Sequence, residues 1–262
     1  MKLKKYKIPH YHIRKIIKIH KNQLESSVRY ERFIVKETFE DWYCLLGKDV
    51  LFLTHPHFTA KIAKEFINSP NQTGLSLTNE EQALLVTASY IHDWGELKIG
   101  NLGIGDITFE QHNENHKKIE VSIFETVINS LPKDKERDLI HKAYQKIVMT
   151  KNSKLGEIFN VVERIGYLKT GLRAYKGIKG KRIKNWSGLA GNVLSNQIIA
   201  LIDYAKKYPY VKNFLNRKQK IINKIFKKIL KTKVLLDKEG HPSYDLEKLK
   251  KNYSSWKNFY QL

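Results

Sequence analysis

Residues 78–96 read TNEEQALLVTASYIHDWGE. The first four form a capping box: the Thr78 hydroxyl accepts from the amide three residues on, and the Glu81 carboxylate reaches back to the Thr78 amide. The helix opened this way carries Leu84, Leu85, Ala88 and Ile91 and runs to His92, with Gly95 marking its end. The apolar run thus closes on His92 and Asp93, with Gly95 and Glu96 directly behind them. On a continuing helix, neighbouring residues point about 100° apart and cannot face one site. At a helix end the second residue can turn. A neutral imidazole nitrogen and a hard carboxylate oxygen then converge on one cation.

Helical periodicity extends outward from this stretch in both directions, and strand alternation is nearly absent, so the fold class is all-α. Upstream, Glu25–Leu46 reads as a helix with Phe33, Phe39, Trp42, Leu45 and Leu46 on its apolar positions. Thr54 caps a second helix, His55–Ile67, with Pro56 in its first turn. Residues 69–76 are a loop. Downstream, three glycines make Lys98–Asp106 a loop. Further helices are expected at about Asn113–Leu131, Lys135–Met149, Leu155–Tyr175, Leu189–Lys207 and Val211–Leu236, with a short one near Tyr244–Tyr260. The Gly-rich basic segment 176–188 is the candidate lid, and 237–243 is a turn. The organisation read from this is a core over 1–205 with a basic N-terminal segment. A basic helical extension of the same compact unit covers 206–262.

The chain has 262 residues, 41% of them hydrophobic, enough to bury a sizeable core. No apolar run approaches the roughly 20 residues that span a bilayer, so no membrane partner is expected. The first twenty residues are basic but lack the apolar h-region of a signal peptide. Cys44 is the only cysteine, which excludes an intrachain disulfide and suits a reducing cytoplasm. The net charge of +22 is concentrated in two places. Met1–Leu24 holds eight Lys/Arg and no acid, and Arg164–Leu236 holds nineteen against one acid, Asp203. Such a surface admits nucleic acid through the 164–236 region, or attracts small anions. Only eight of the basic residues are Arg, the residue of bidentate base contacts, which weighs against sequence-specific reading.

One His and one Asp do not complete a cation site. A second imidazole is available at the start of the helix in LTHPHFTAKIA (53–63). His55 is followed by Thr59, Ala60 and Ala63, small residues that let this helix pack closely on another. His57 is an alternative two residues on.

The combination H…HDxGE on successive helices resembles the HD-domain metal-dependent phosphohydrolases, and in particular their 5′-deoxynucleotidase-like branch. The matching pieces are HDWGELKIGNLGIGDI (92–107), ENHKKIEVSIFETVINSLPKD (114–134) and FNVVERIGYLKTGLRAY (159–175). They cover roughly residues 50–176. The resemblance implies an HD-type helical bundle with a basic helical C-terminal extension. It also implies one divalent ion, Mn, Co, Ni, Zn, Fe or Mg, of which His-rich ligation suits the first five.

The residues it implies are His55, His92 and Asp93 as metal ligands. The family's fourth ligand is an Asp, where this chain has Glu163, and Asp203 is a rival for that place. Glu96 matches the acid that acts on water or the leaving group. In the Gly-Asp element, Asp106 takes the acidic role if a five-residue insertion is allowed, and Asn101 takes the position if it is not. Basic residues toward the substrate phosphate fall at Lys117 or Lys118, on the helix that also carries His116 and Glu120. A phosphate-clamping Arg falls at Arg29, with Arg32 beside it.

The function implied is phosphate release from nucleotides, most directly (deoxy)nucleoside 5′-monophosphates, by an enzyme that admits a homodimer. Two alternatives stand beside it. One is an HD hydrolase of a larger anionic substrate: a nucleoside triphosphate, a cyclic or alarmone nucleotide, or a nucleic-acid end. The other is a nucleic-acid-binding protein of degenerate HD fold, without catalysis.

Overall fold

The computed structural model describes residues 7–21, 54–69, 76–97, 114–177, 195–234 and 245–261. Among these, every regular element is a helix. Contacts group the chain into two compact units. The described residues of the first are 7–21, 54–67, 77–97 and 114–160; those of the second are 68–69, 76, 161–177, 195–234 and 245–261.

The first unit is built around its most buried helix. Helices α1 (His10–Ile19), α2 (His55–Ile67) and α3 (Asn79–Ile91) are followed by a 3-10 turn over Trp94–Glu96. Helices α4 (Glu114–Asn129) and α5 (Lys135–Ala143) come next, and α5 runs on into a π-helical turn, Tyr144–Val148. The capping box is present with both halves made: Glu81 N donates to Thr78 Oγ1 at 3.2 Å and Thr78 N to Glu81 Oε2 at 2.8 Å. From Ala83 to Ile91 every residue of α3 is buried, as a helix that is apolar all round must be. It packs on α2, α5 and the π turn, while the 3-10 turn packs on α4. Thr59, Ala60 and Ala63 of α2 are fully buried, and their small size is what lets α2 approach.

Helix α1 falls where sequence reading placed only a basic segment. Ile8, Ile13, Ile16 and His12 are buried. His12 Nε2 lies 2.9 Å from both carboxylate oxygens of Asp134. Asp134 in turn caps α5 by accepting from the Glu136 and Arg137 amides, each at 2.9 Å. One carboxylate thus closes a helix start and holds a buried imidazole of another helix.

Helix α6 (Lys154–Gly177) contributes to both units. The second unit also holds α7 (Ser195–Lys207), α8 (Pro209–Ile229) and α9 (Leu246–Tyr260), with α7 packed on both α8 and α9. Pro209 stands at the first position of α8 and fixes the break from α7, because the residue before a proline is pushed to extended backbone. Tyr208 has φ −117° and ψ 105°. Helix α8 was expected to reach Leu236 but ends at Ile229. There Lys231 N and Thr232 N turn back to the carbonyls of Lys228 and Ile229. The expected helix at 25–46, the Gly-rich loop at 98–106 and most of the 176–188 segment lie outside the described residues.

Candidate metal centre

The centre forms at the C-terminus of α3. The last helical residues of any α-helix leave carbonyls without amide partners and carry partial negative charge. His92, the C-cap, keeps helical backbone (φ −58°, ψ −30°) and turns its ring back so that Nδ1 lies 3.1 Å from the Ser89 carbonyl oxygen. Asp93 then leaves the helix at φ −91°, ψ 3°, the bridge region where the chain changes direction. This turn brings the neighbouring side chain round. Asp93 Oδ1 lies 3.2 Å from His92 Nε2.

The second imidazole comes from the first turn of α2, thirty-seven residues earlier. His55 Nε2 lies 3.1 Å from His92 Nε2 and 4.0 Å from Asp93 Oδ2. Thr59, one turn along α2, places Oγ1 3.0 Å from His55 Nε2. Phe159 of α6 presents its ring to His92 with centroids 5.3 Å apart. His55, His92 and Asp93 are 3%, 9% and 6% exposed. Their ligand atoms all lie within 4.8 Å of one another.

A carbonyl only accepts, so the Nδ1 of His92 carries the hydrogen and the Nε2 of a neutral ring presents a lone pair. That lone pair faces a carboxylate oxygen on one side and the other imidazole on the other. A hydrogen on His55 Nε2 can serve the imidazole contact but leaves the carboxylate facing the lone pair. A second proton on His92, or a cation shared by the three donors, resolves the conflict. Two nitrogens and one carboxylate oxygen form a donor set that suits a divalent transition ion. The Ser89 carbonyl behind His92 is the outer partner that fixes which nitrogen points inward. The residues therefore fit a metal ion, and the cluster can hold one.

Glu96 sits half-buried on the 3-10 turn, its amide donating to Asp93 O at 3.0 Å. Burial, and then the negative charges of Glu120, Glu96 and Glu125, push the phenol of Tyr144 well above its ordinary range. Tyr144 lies in the π turn, is fully buried and stacks on Phe124 with centroids 3.5 Å apart. Gly95 was read as the glycine that ends α3. The helix in fact ends at Ile91, and what requires a glycine is close approach. A Cβ at residue 95 would lie 2.7 Å from Glu120 O and 2.8 Å from Tyr144 OH.

Glu163 and Asp203 both belong to the second unit, and neither is in the three-residue group. Asp203 is exposed, with Lys206 Nζ 2.9 Å from its Oδ1. His57 is exposed and packs edge-on against Tyr90, centroids 5.3 Å apart. Desolvation, with Lys64 and His10 nearby, holds its imidazole below the ordinary value. Lys117 falls in the first turn of α4 and Lys118 is exposed on the same helix. Arg29, Arg32, Asn101 and Asp106 lie outside the described residues. Sequence reading missed the functional part of three positions: Ser89 as the carbonyl that orients His92, Thr59 against His55, and Phe159 over the ring. The i, i+4 spacing of His55 and Thr59 and the i, i+3 spacing of Ser89 and His92 were the available signals.

Compared with family models, with curated proteins and with solved structures, the chain finds no match, so the centre is read on its own geometry.

Proposed function

We propose that this chain is a metal-dependent phosphoric ester hydrolase of the HD type, acting on nucleotides, with (deoxy)nucleoside 5′-monophosphates as the first substrate class. The observation that carries the reading is the convergence of His55 Nε2, His92 Nε2 and an Asp93 carboxylate oxygen at the negative end of α3. The likeness of H…HDxGE to the HD phosphohydrolases adds the reaction class. A divalent ion held there supplies a Lewis acid for a phosphoryl oxygen and lowers the pKa of nearby water.

The protein's own part is positional and acid–base. The Ser89 carbonyl keeps the His92 ring in the tautomer that offers Nε2, and Phe159 shields it from solvent. Glu96, three residues after Asp93 on the 3-10 turn, takes a proton from the attacking water. A new P–O bond forms from that water while the ester P–O bond breaks. The proton passes to the departing alkoxide, giving a nucleoside and inorganic phosphate. The resemblance assigns the positive charge near the substrate phosphate to Lys117 or Lys118.

The test is elemental analysis of the purified protein beside Asp93→Ala, followed by phosphate release from a panel of nucleotides with added Mn, Co, Ni, Zn, Fe or Mg. A transition metal near stoichiometric in the parent and lost in the variant is expected. Phosphate release should fall at least about 100-fold in Glu96→Gln, the size of a general acid–base contribution, with metal content retained. No metal in the parent after manganese loading, or equal phosphate release from parent and Asp93→Ala, overturns the proposal.

A further inference from the structure

We propose that the outer face of α8 is a binding surface for the phosphodiester backbone of nucleic acid, read without base sequence. Residues 204–234 contain eleven Lys/Arg and no acid. Within α8 the cations are ordered. Arg217, Lys220, Lys224 and Lys227 follow one another at intervals of three, four and three, which on an α-helix makes one straight row. The row spans about 15 Å at 1.5 Å per residue. All four are exposed, while Val211, Phe214, Leu215, Ile222, Ile225 and Phe226 are buried on the opposite side.

Two features set this row apart from an ordinary solvated face. Like charges at i, i+3 and i, i+4 destabilise a helix, whereas a surface made for solubility alternates acid and base along such a row. The row thus lowers the stability of α8 until an anion lies along it. The chemistry is also that of backbone binding. Three of the four are Lys, compact point charges suited to phosphate oxygens, where paired recognition of a base edge calls for the fork of Arg.

A membrane surface is the rival anion. A helix that lies on a bilayer needs an apolar face for the lipid. The apolar face of α8 is used in the core, and the exposed large apolar residues among the described ones, Tyr11 and Ile19, belong to α1. The inference is independent of the hydrolase reading.

The test uses the full chain and fluorescence anisotropy with labelled duplex DNA and, separately, a labelled single strand, titrated across about 50 to 200 mM salt. The fourfold variant R217Q/K220Q/K224Q/K227Q is compared with the parent. A control removes four exposed charges from the first unit, K61Q/K133Q/K146Q/K151Q. The expected result is parental binding whose log–log salt slope becomes shallower by about three to four units in the fourfold variant. The control should keep the parental slope. The fourfold variant should melt no lower than the parent, since repulsion has been removed. The single-strand arm decides which form of backbone is held more tightly. No binding at the lowest salt, an equal change of slope in variant and control, or tighter binding to phosphatidylserine vesicles than to either nucleic acid would overturn the proposal.

Discussion

Gly95 shows how one residue ties the centre to its surroundings. It follows Asp93 by two, and its missing side chain lets the α4 backbone and the Tyr144 hydroxyl close onto the turn that carries Asp93 and Glu96. A methyl group there meets backbone that cannot yield without moving α4. Gly95→Ala is therefore expected to lower stability by about 1–3 kcal/mol, the usual cost of overpacking. In a thermal melt the variant should unfold earlier, and its metal content should fall as Asp93 is displaced. An unchanged melting temperature would mean that α4 is free to shift. At the same scale, Asp203→Asn should leave metal content at the parental level, because that carboxylate is exposed beside Lys206.

At the scale of elements, one side-chain contact links α1 to the start of α5, with His12 Nε2 2.9 Å from the Asp134 carboxylate oxygens. The Arg137 amide and then the His12 side chain hold the Asp134 carboxyl below its ordinary value of 3.8. A carboxyl depressed in the folded state adds stability that is present above its unfolded value. That stability is lost as pH falls through the lower folded value. The start of α5 and the hold on α1 should thus loosen together in acid, below about pH 4. Hydrogen exchange over residues 7–21 should rise on acidification in the parent. In Asp134→Asn it should already be raised at neutral pH, and Asp134→Ala should add loss of the α5 cap. If exchange in α1 is the same in parent and Asp134→Asn, the buried isoleucines alone hold the helix.

For the whole molecule, alkali and metal act in opposite directions. Tyr144 and Tyr260 both keep their phenol protons longer when folded, each mainly through burial, and Tyr260 is pushed up to about 12 from 10.0. A group whose folded pKa is raised adds stability that is complete below the unfolded value and is lost as pH climbs toward the folded one. The melting temperature should therefore fall from about pH 10 upward, and the fall should be shallower in Tyr144→Phe and in Tyr260→Phe. A divalent ion that binds only the folded centre should raise stability by about 2.7 kcal/mol at a hundred times its Kd. Chelator should remove the gain, and Asp93→Ala should never show it.

What could be read from residue order alone was whatever is decided within a turn or two of helix. The capping box at Thr78 and Glu81, the start of α2 at His55 and the all-α class are of this kind. Each depends on contacts between residues three or four apart, or on the restricted backbone of proline, and such contacts are visible in order and spacing. The pairing of His92 with Asp93 at a helix end belongs here too. The tertiary structure decided which distant groups meet. It brought His55 to His92 through a closely packed pair of helices. It gave Gly95 its role against α4, and it showed α1 held to Asp134 where residue order was read only as a basic N-terminal segment. These outcomes depend on helices packed across long stretches of chain. Their free energy comes from mutual burial of side chains, a property of two surfaces together that neither segment carries by itself.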